Sequence, residues 1–323
     1  MLISQHHRRT AFRIATTSGR RGMTLAELLI AMAIMGLMTV VLAGMSHAVN
    51  SAWAYTKGVE STEQQAAAAF DRIKYMLAHT GTYRLTGQPS RLGLAVVPRT
   101  VGSATIPDVL VLWTGGRNGG MSALGTQTRL PVASELLAYM WDSTNPSQLL
   151  EVAFPSSTNS IDFAATDFAT TITSLLSSLT ADRIPLCGHL RVTSLSATTT
   201  TPTTAAPTTG TTFLPLGGLY GPSISPTPIT TTSTIDVSQS LGCARFDIVW
   251  TPTDAELATA TVGSTLWYQL KWPLGAVGSR SGMRQATLNL ELQIEPDGVD
   301  AGTGSINAIP FFDSGSVRYV YEP

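Results

Sequence analysis

The longest apolar segment of the chain begins at Leu28 and holds no Asp, Glu, Lys or Arg before residue 57. About 20 apolar residues suffice for a helix that crosses a bilayer, so we expect a membrane span at about residues 28–48. Residues 53–78 contain no proline and have apolar side chains at helical spacing on one face. These positions are Ala66, Phe70, Ile73 and Leu77. The pattern predicts one continuous helix over residues 23–79, about 80 Å long, whose second half packs on a head domain.

After residue 80 the apolar pattern changes to short runs, bounded by Gly, Pro and Asn, that are typical of half-buried strands. These runs are residues 93–97, 108–113, 136–141, 149–154, 189–194, 244–250 and 265–272. From Ala286 to Ile294 apolar and polar residues alternate, which predicts a strand with one buried and one wet face. We expect a last strand at 317–321 and a short helix within 162–179. The predicted fold class is α+β: a long N-terminal helix laid on an antiparallel head, residues 80–323.

All the charged residues ahead of the apolar segment, up to residue 22, are basic. They are Arg8, Arg9, Arg13, Arg20 and Arg21. Positive charge before a span predicts a single-pass protein with a cytoplasmic N-terminus and an exported, periplasmic head. An ordinary secretory signal has small residues at a cleavage site after its apolar region. Here a glycine, Gly22, lies before that region instead.

Glu27 is the one carboxylate at the start of the apolar helix. An ionisable group at the edge of the hydrocarbon is costly unless it is paired, so Glu27 is a candidate functional residue. The alternative is that Glu27 only marks the interfacial end of a signal anchor.

The run Gly22-Met23-Thr24-Leu25-Ala26-Glu27 resembles the class III leader of the type IV pilin and type II secretion pseudopilin superfamily. The resemblance covers about 55 of the 323 residues, and it departs from the family at Met23, where phenylalanine is usual. It implies cleavage by a prepilin peptidase between Gly22 and Met23, then N-methylation of Met23. It also implies an inner-membrane location, and pairing of Glu27 with the free amine of a neighbouring subunit. The head and the second half of the helix are loosely similar to J-like minor pseudopilins or PilW-type minor pilins.

Residues 196–236 are rich in Thr and Pro and nearly uncharged, which predicts a flexible insertion without a core of its own. The two cysteines, Cys187 and Cys243, flank it. An isolated cysteine pair in an exported domain is more often a disulfide than a metal site, so we expect a bridge at the base of the insertion. Two separate buried thiols are the alternative.

The residues carry little catalytic chemistry. There is no GxSxG, phosphate loop, GxGxxG or HExxH pattern, so we expect no enzyme, no metal and no cofactor. The acidic turn with Glu295, Asp297 and Asp300 is a weak calcium candidate, because its spacing departs from the EF-hand pattern. Trp250, with Trp267, Tyr268 and Trp272, is interpreted as core instead of a stacking platform.

Charge argues against nucleic acid as a partner. Without the five leader arginines, residues 23–323 hold 15 Lys plus Arg against 21 Asp plus Glu, a net charge of −6, which disfavours nucleic-acid binding. The expected partners are the prepilin peptidase and N-methyltransferase, other pilin or pseudopilin subunits, and the inner membrane.

The sequence thus favours a structural subunit, a minor pseudopilin of a type II secretion pseudopilus. A minor type IV pilin that serves adhesion or DNA uptake is the alternative. A membrane-anchored exported binding protein or enzyme is a weaker one.

Overall fold

The structure is a computed structural model. It describes residues 24–101, 104–195, 239–296 and 308–323. The chain divides into two units, residues 1–53 and 54–323. In the first unit every residue from Leu25 to Trp53 is exposed except Ala31, which is half-buried.

Four α-helices, one short 3-10 helix (Ala133–Glu135) and fourteen strands lie within the described residues. The helices are α1 (Leu25–Ala78), α2 (Phe168–Leu176), α3 (Asp254–Thr259) and α4 (Thr265–Gln269). The strands are β1 (Thr82–Tyr83), β2 (Arg91–Leu92), β3 (Leu94–Val101), β4 (Ala104–Trp113), β5 (Thr126–Gln127), β6 (Leu136–Trp141), β7 (Leu149–Ala153), β8 (Asp182–Cys187), β9 (Val192–Leu195), β10 (Gln239–Gly242), β11 (Ala244–Thr251), β12 (Ala276–Gly278), β13 (Ser281–Ile294) and β14 (Ile309–Tyr321). The α+β class is confirmed.

One sheet has five strands in the order β3-β4-β6-β7-β8, and each strand is antiparallel to its neighbours. Leu137 of β6 pairs with Leu112 of β4 and with Ala153 of β7. Every residue of β6 and β7 is buried. Both faces of these central strands are therefore covered, which explains why their residues are apolar apart from Glu151 and the Tyr139 hydroxyl.

The second sheet is built around β13, which pairs antiparallel with β11, β12 and β14. Burial alternates from Ala286 to Leu290 as predicted. The prediction of a wet face was wrong beyond that point, because Glu291 and Gln293 are only 3% and 5% exposed. The Gln293 amide donates to Glu291 Oε1 at 3.2 Å, so each of these two buried polar side chains has a hydrogen-bond partner.

The part of α1 that belongs to the second unit buries one face in the main core. Its buried residues are Gly58, Thr62, Ala66, Ala69, Phe70, Ile73, Met76 and Leu77. The same core cluster takes side chains from both sheets, among them Leu112 and Leu137 of the first and Leu288 and Leu290 of the second. Burial of a side chain as large as Leu or Ile contributes about 1.5–3 kcal/mol. This segment of helix is therefore an integral part of the head.

Gly315 of β14 allows the close approach of this helix. A Cβ at that position would lie 2.9 Å from Leu77 Cδ2 and 3.3 Å from Lys74 Cγ. Lys74 also pairs with Asp313 of β14, with 2.7 Å between Nζ and Oδ2. Small size and opposite charge thus act together where the helix lies on β14.

A buried carboxylate fixes the helix to the first sheet. Glu151 of β7 is 2% exposed, and Arg72 of α1 donates to its two oxygens at 2.8 and 3.0 Å. The Tyr139 hydroxyl donates to Glu151 Oε2 at 3.1 Å, and Arg117 Nε forms an ion pair with Glu151 Oε1 at 3.3 Å. The hydrogen bond to Glu151 raises the pKa of Arg72 above its usual value. The charge of Glu151 is therefore compensated inside the core.

The opposite face of the five-stranded sheet packs on α2. Phe168 and Ile172 of α2 join a second core cluster with Val111, Leu136 and Val152. The short helix predicted within residues 162–179 is thus present, and it covers the face that α1 leaves.

Some predicted strands differ from the structure. The predicted strand at 265–272 was wrong: it contains the helix α4, because the Ser264 hydroxyl caps the Trp267 N–H at 3.2 Å. The run at 189–194 becomes a strand only at Val192, since His189 has a positive φ of 58°. Strand β8 and helix α3 were not predicted.

The Glu151 network gives a stability prediction. We expect Glu151→Gln to lower the free energy of unfolding by about 2–3 kcal/mol, because it leaves the partly buried Arg72 without its counter-charge. Urea unfolding of the whole chain in detergent measures this change. The matched control, Glu63→Gln on an exposed turn of α1, should change it by less than about 0.5 kcal/mol. Equal effects of the two substitutions would contradict the role of Glu151.

Candidate assembly site at the start of the long helix

The first turn of α1 is closed by Thr24 and Glu27. The Thr24 N–H donates to Glu27 Oε2 at 2.9 Å, and the Thr24 hydroxyl donates to the same oxygen at 3.1 Å. The Glu27 N–H donates back to Thr24 Oγ1 at 3.3 Å. This reciprocal pattern is a capping box, which satisfies two of the free N–H groups of a helix start.

The cap sets the position of the Glu27 carboxylate. A negative charge in the first turn also interacts favourably with the helix dipole. From the sequence, the partner of Glu27 is expected on a neighbouring subunit. The structure shows that Thr24 of the same chain also donates hydrogen bonds to the Glu27 carboxylate. The Thr-x-x-Glu spacing ahead of an apolar run is the signal that could have identified this partner. Gly22 and Met23 lie outside the described residues, so their predicted processing stays a prediction.

The helix that follows the cap presents apolar side chains to its surroundings. Ile30, Met35, Leu37 and Val40 are each more than half exposed. Among the described residues, α1 is the one helix whose length and apolar composition would let it cross a membrane. Exposed apolar surface on this scale marks a segment that lipid or other protein covers.

Comparison with protein families identifies the same segment. Residues 17–43 match the family model described as the prokaryotic N-terminal methylation motif. The chain therefore carries the class III signal of type IV pilins and pseudopilins. The motif implies processing by a prepilin peptidase and assembly with other pilin subunits. No curated protein and no solved structure matches the chain.

The two cysteines differ from the predicted bridge. Cys187 and Cys243 are both buried, and both are free thiols in the structure. Cys187 packs in the main core cluster, whereas Cys243 lies between β10 and β11, where its N–H donates to the Arg191 carbonyl at 2.9 Å. This is the arrangement of two separate buried thiols. Burial raises the pKa of Cys187 to about 12 and that of Cys243 to about 11.

The other candidates contribute little chemistry. The described residues hold no cluster of three or more His, Cys, Asp or Glu side chains that could bind a metal. Of the acidic turn, Glu295 is described, whereas Asp297 and Asp300 lie outside the described part. Trp267 and Trp272 are buried, as expected for core residues, and their ring centroids lie 5.0 Å apart. Tyr268 is exposed.

The thiols give a second prediction. We expect that neither Cys187 nor Cys243 of the folded chain reacts with iodoacetamide at pH 8, since burial blocks access and keeps both thiols protonated. After unfolding without reductant, mass spectrometry should show two added carbamidomethyl groups. If the unfolded chain instead gains no carbamidomethyl group before reduction and two after it, the two cysteines form a disulfide and this prediction is contradicted.

Proposed function

We propose that this chain is a structural subunit of a filament of the type IV pilin class, cut between Gly22 and Met23, methylated on Met23, and assembled through α1. The observation that carries the proposal is the Thr24–Glu27 cap, because it sits inside the matched motif at the start of a bare apolar helix. No part of this role requires a catalytic site, a metal or a cofactor, and we propose that the chain uses none.

The cap suggests how the cut end would act. Cleavage after Gly22 creates a positive amine on Met23, the residue next to Thr24. The backbone and hydroxyl of Thr24 already hold Glu27. Amine and carboxylate would therefore lie at the same end of one helix. An unpaired charge in hydrocarbon is costly, so pairing Glu27 with the amine of a neighbouring subunit would favour packing in one register.

At a finer level we propose a minor pseudopilin of a type II secretion pseudopilus, anchored in the inner membrane with its head on the periplasmic side. The five leader arginines on the other side of the span support this orientation. A head of some 240 residues, with two large and two small sheets among its described residues, supports a minor subunit with partner-specific surfaces. A minor type IV pilin remains the second candidate, since the same signal serves both classes.

Substitutions at the cap test the assembly role. We expect Glu27→Ala and Glu27→Gln to insert into the membrane normally but to reduce assembly at least about tenfold, because both remove the charge that pairs with the amine. Thr24→Val removes only the hydroxyl hydrogen bonds of the cap, worth about 1 kcal/mol, and should have the smaller effect. Membrane fractionation measures insertion, and chemical cross-linking in the native host measures assembly.

The control is Glu60→Gln, which removes the same charge from an exposed position of α1 beyond the apolar segment. It should assemble like the unaltered chain. Normal assembly of the Glu27→Gln variant would show that the carboxylate acts only as a cap and would contradict the charge-pairing proposal.

A further inference from the structure

A cavity of about 330 Å³ lies within the second unit. Its walls come from β2, β3, β11, β13, β14, α3 and the loop at Phe163. The volume is within the range of pockets that hold small ligands. Two arginines, Arg91 and Arg284, and one carboxylate, that of Asp254, are among its lining residues.

Arg284 is held rigidly in the wall. Its guanidinium donates to the Pro252 carbonyl at 2.9 Å and to Asp254 Oδ1 at 2.8 Å. It also lies 4.7 Å from the ring centroid of Trp250. The Arg284 side chain is 6% exposed, whereas that of Asp254 is 83% exposed. Because water screens an exposed carboxylate strongly, Asp254 offsets only part of the buried positive charge.

Arg91 supplies the second positive group. Its Nε is buried and has no hydrogen-bond partner among the residues that the structure describes. A buried donor without a partner is rare in a folded protein, and it commonly marks a place where another group binds. The cavity lining thus combines one fixed guanidinium with a second one whose Nε has no partner among the described residues.

Apart from Ser90, the remaining lining residues are apolar or aromatic. Leu92, Leu94, Leu257 and Phe163 contribute apolar surface beside Tyr321. A guanidinium matches a carboxylate with two parallel hydrogen bonds. We propose that this cavity binds a carboxylate carried on a small apolar body. The carboxylate belongs at Arg91 and Arg284, and the apolar body belongs against Leu92, Leu257 and Phe163.

Two sources offer this chemistry, a free organic acid and the C-terminal residue of a peptide. Phenylacetate represents the first, and N-acetyl-Ala-Phe with a free carboxylate represents the second. N-acetyl-Ala-Phe amide is the uncharged control. Isothermal titration of the whole mature chain in detergent should show binding of at least one carboxylate, weakened by added salt, and at least about tenfold weaker binding of the amide.

Arg91→Gln should weaken carboxylate binding at least about tenfold, because the guanidinium is lost. The matched control is Arg318→Gln, which removes an exposed arginine that donates to Gln285 at 2.8 Å outside the cavity lining. It should bind within about twofold of the unaltered chain. Ala258→Trp, at an exposed position of α3 on the cavity wall, should block binding without a change in charge.

Three outcomes would overturn the proposal. One is no binding of either carboxylate at about 10 mM, which is about tenfold above the dissociation constant of a weak ligand, about 1 mM. Another is equal binding of the amide and the free peptide. The third is carboxylate binding that neither Arg91→Gln nor Ala258→Trp changes. The melting temperature of each variant shows whether it is folded. Binding of phenylacetate alone would assign the cavity to a free acid, and binding of the peptide alone would assign it to a chain terminus.

Discussion

Burial of one face of α1 between residues 58 and 77 is the constraint on which the head depends. From Ala66 to Leu77, the buried residues share one core cluster with strands from both large sheets. Without them Leu112 and Leu137 of the first sheet and Leu288 and Leu290 of the second would lose part of their cover. The ion pair between Arg72 and Glu151 adds a polar requirement, because Glu151 would otherwise be an uncompensated charge in the core. The head therefore includes its helix and is not a separate body to which the helix is attached.

The same helix is uncovered along its first half. Its buried residues begin at Gly58, and before that point apolar side chains face outward. A helix that is apolar on all sides is stable only within lipid or among other helices. The Thr24–Glu27 cap lies at the start of this uncovered half, and the matched motif spans both. The packing of one half and the exposure of the other thus match a subunit that anchors and assembles through its N-terminus.

Local patterns were enough to predict much of the fold. The charge-free run from Leu28 and the spacing of Ala66, Phe70, Ile73 and Leu77 indicated the helix and its buried face, and the alternation after Ala286 indicated β13. They were not enough for the segment at 265–272. There apolar residues alternate as in a strand, yet one capping serine, Ser264, begins a helix. A single hydrogen bond at a helix end leaves little trace in a hydrophobic pattern.

Long-range and reciprocal contacts were harder to predict. Glu151 was predicted only as part of a strand. Its partner Arg72 lies 79 residues away in the sequence, so no local spacing connects the two residues. The motif identified Glu27 as a functional residue but did not reveal that Thr24 caps the helix with it, although the Thr-x-x-Glu spacing is present in the sequence. The cavity with Arg91 and Arg284 joins strands that are distant in sequence, and no local pattern predicts it.

We propose that the start of α1 is a processed assembly site, and mass spectrometry of the N-terminal peptide of the chain, isolated from membranes of its native host, tests this proposal. Processing predicts a peptide that begins at Met23 and carries a methyl group on its amine. A peptide that begins at Met1, or a cut beyond the apolar segment, would contradict it.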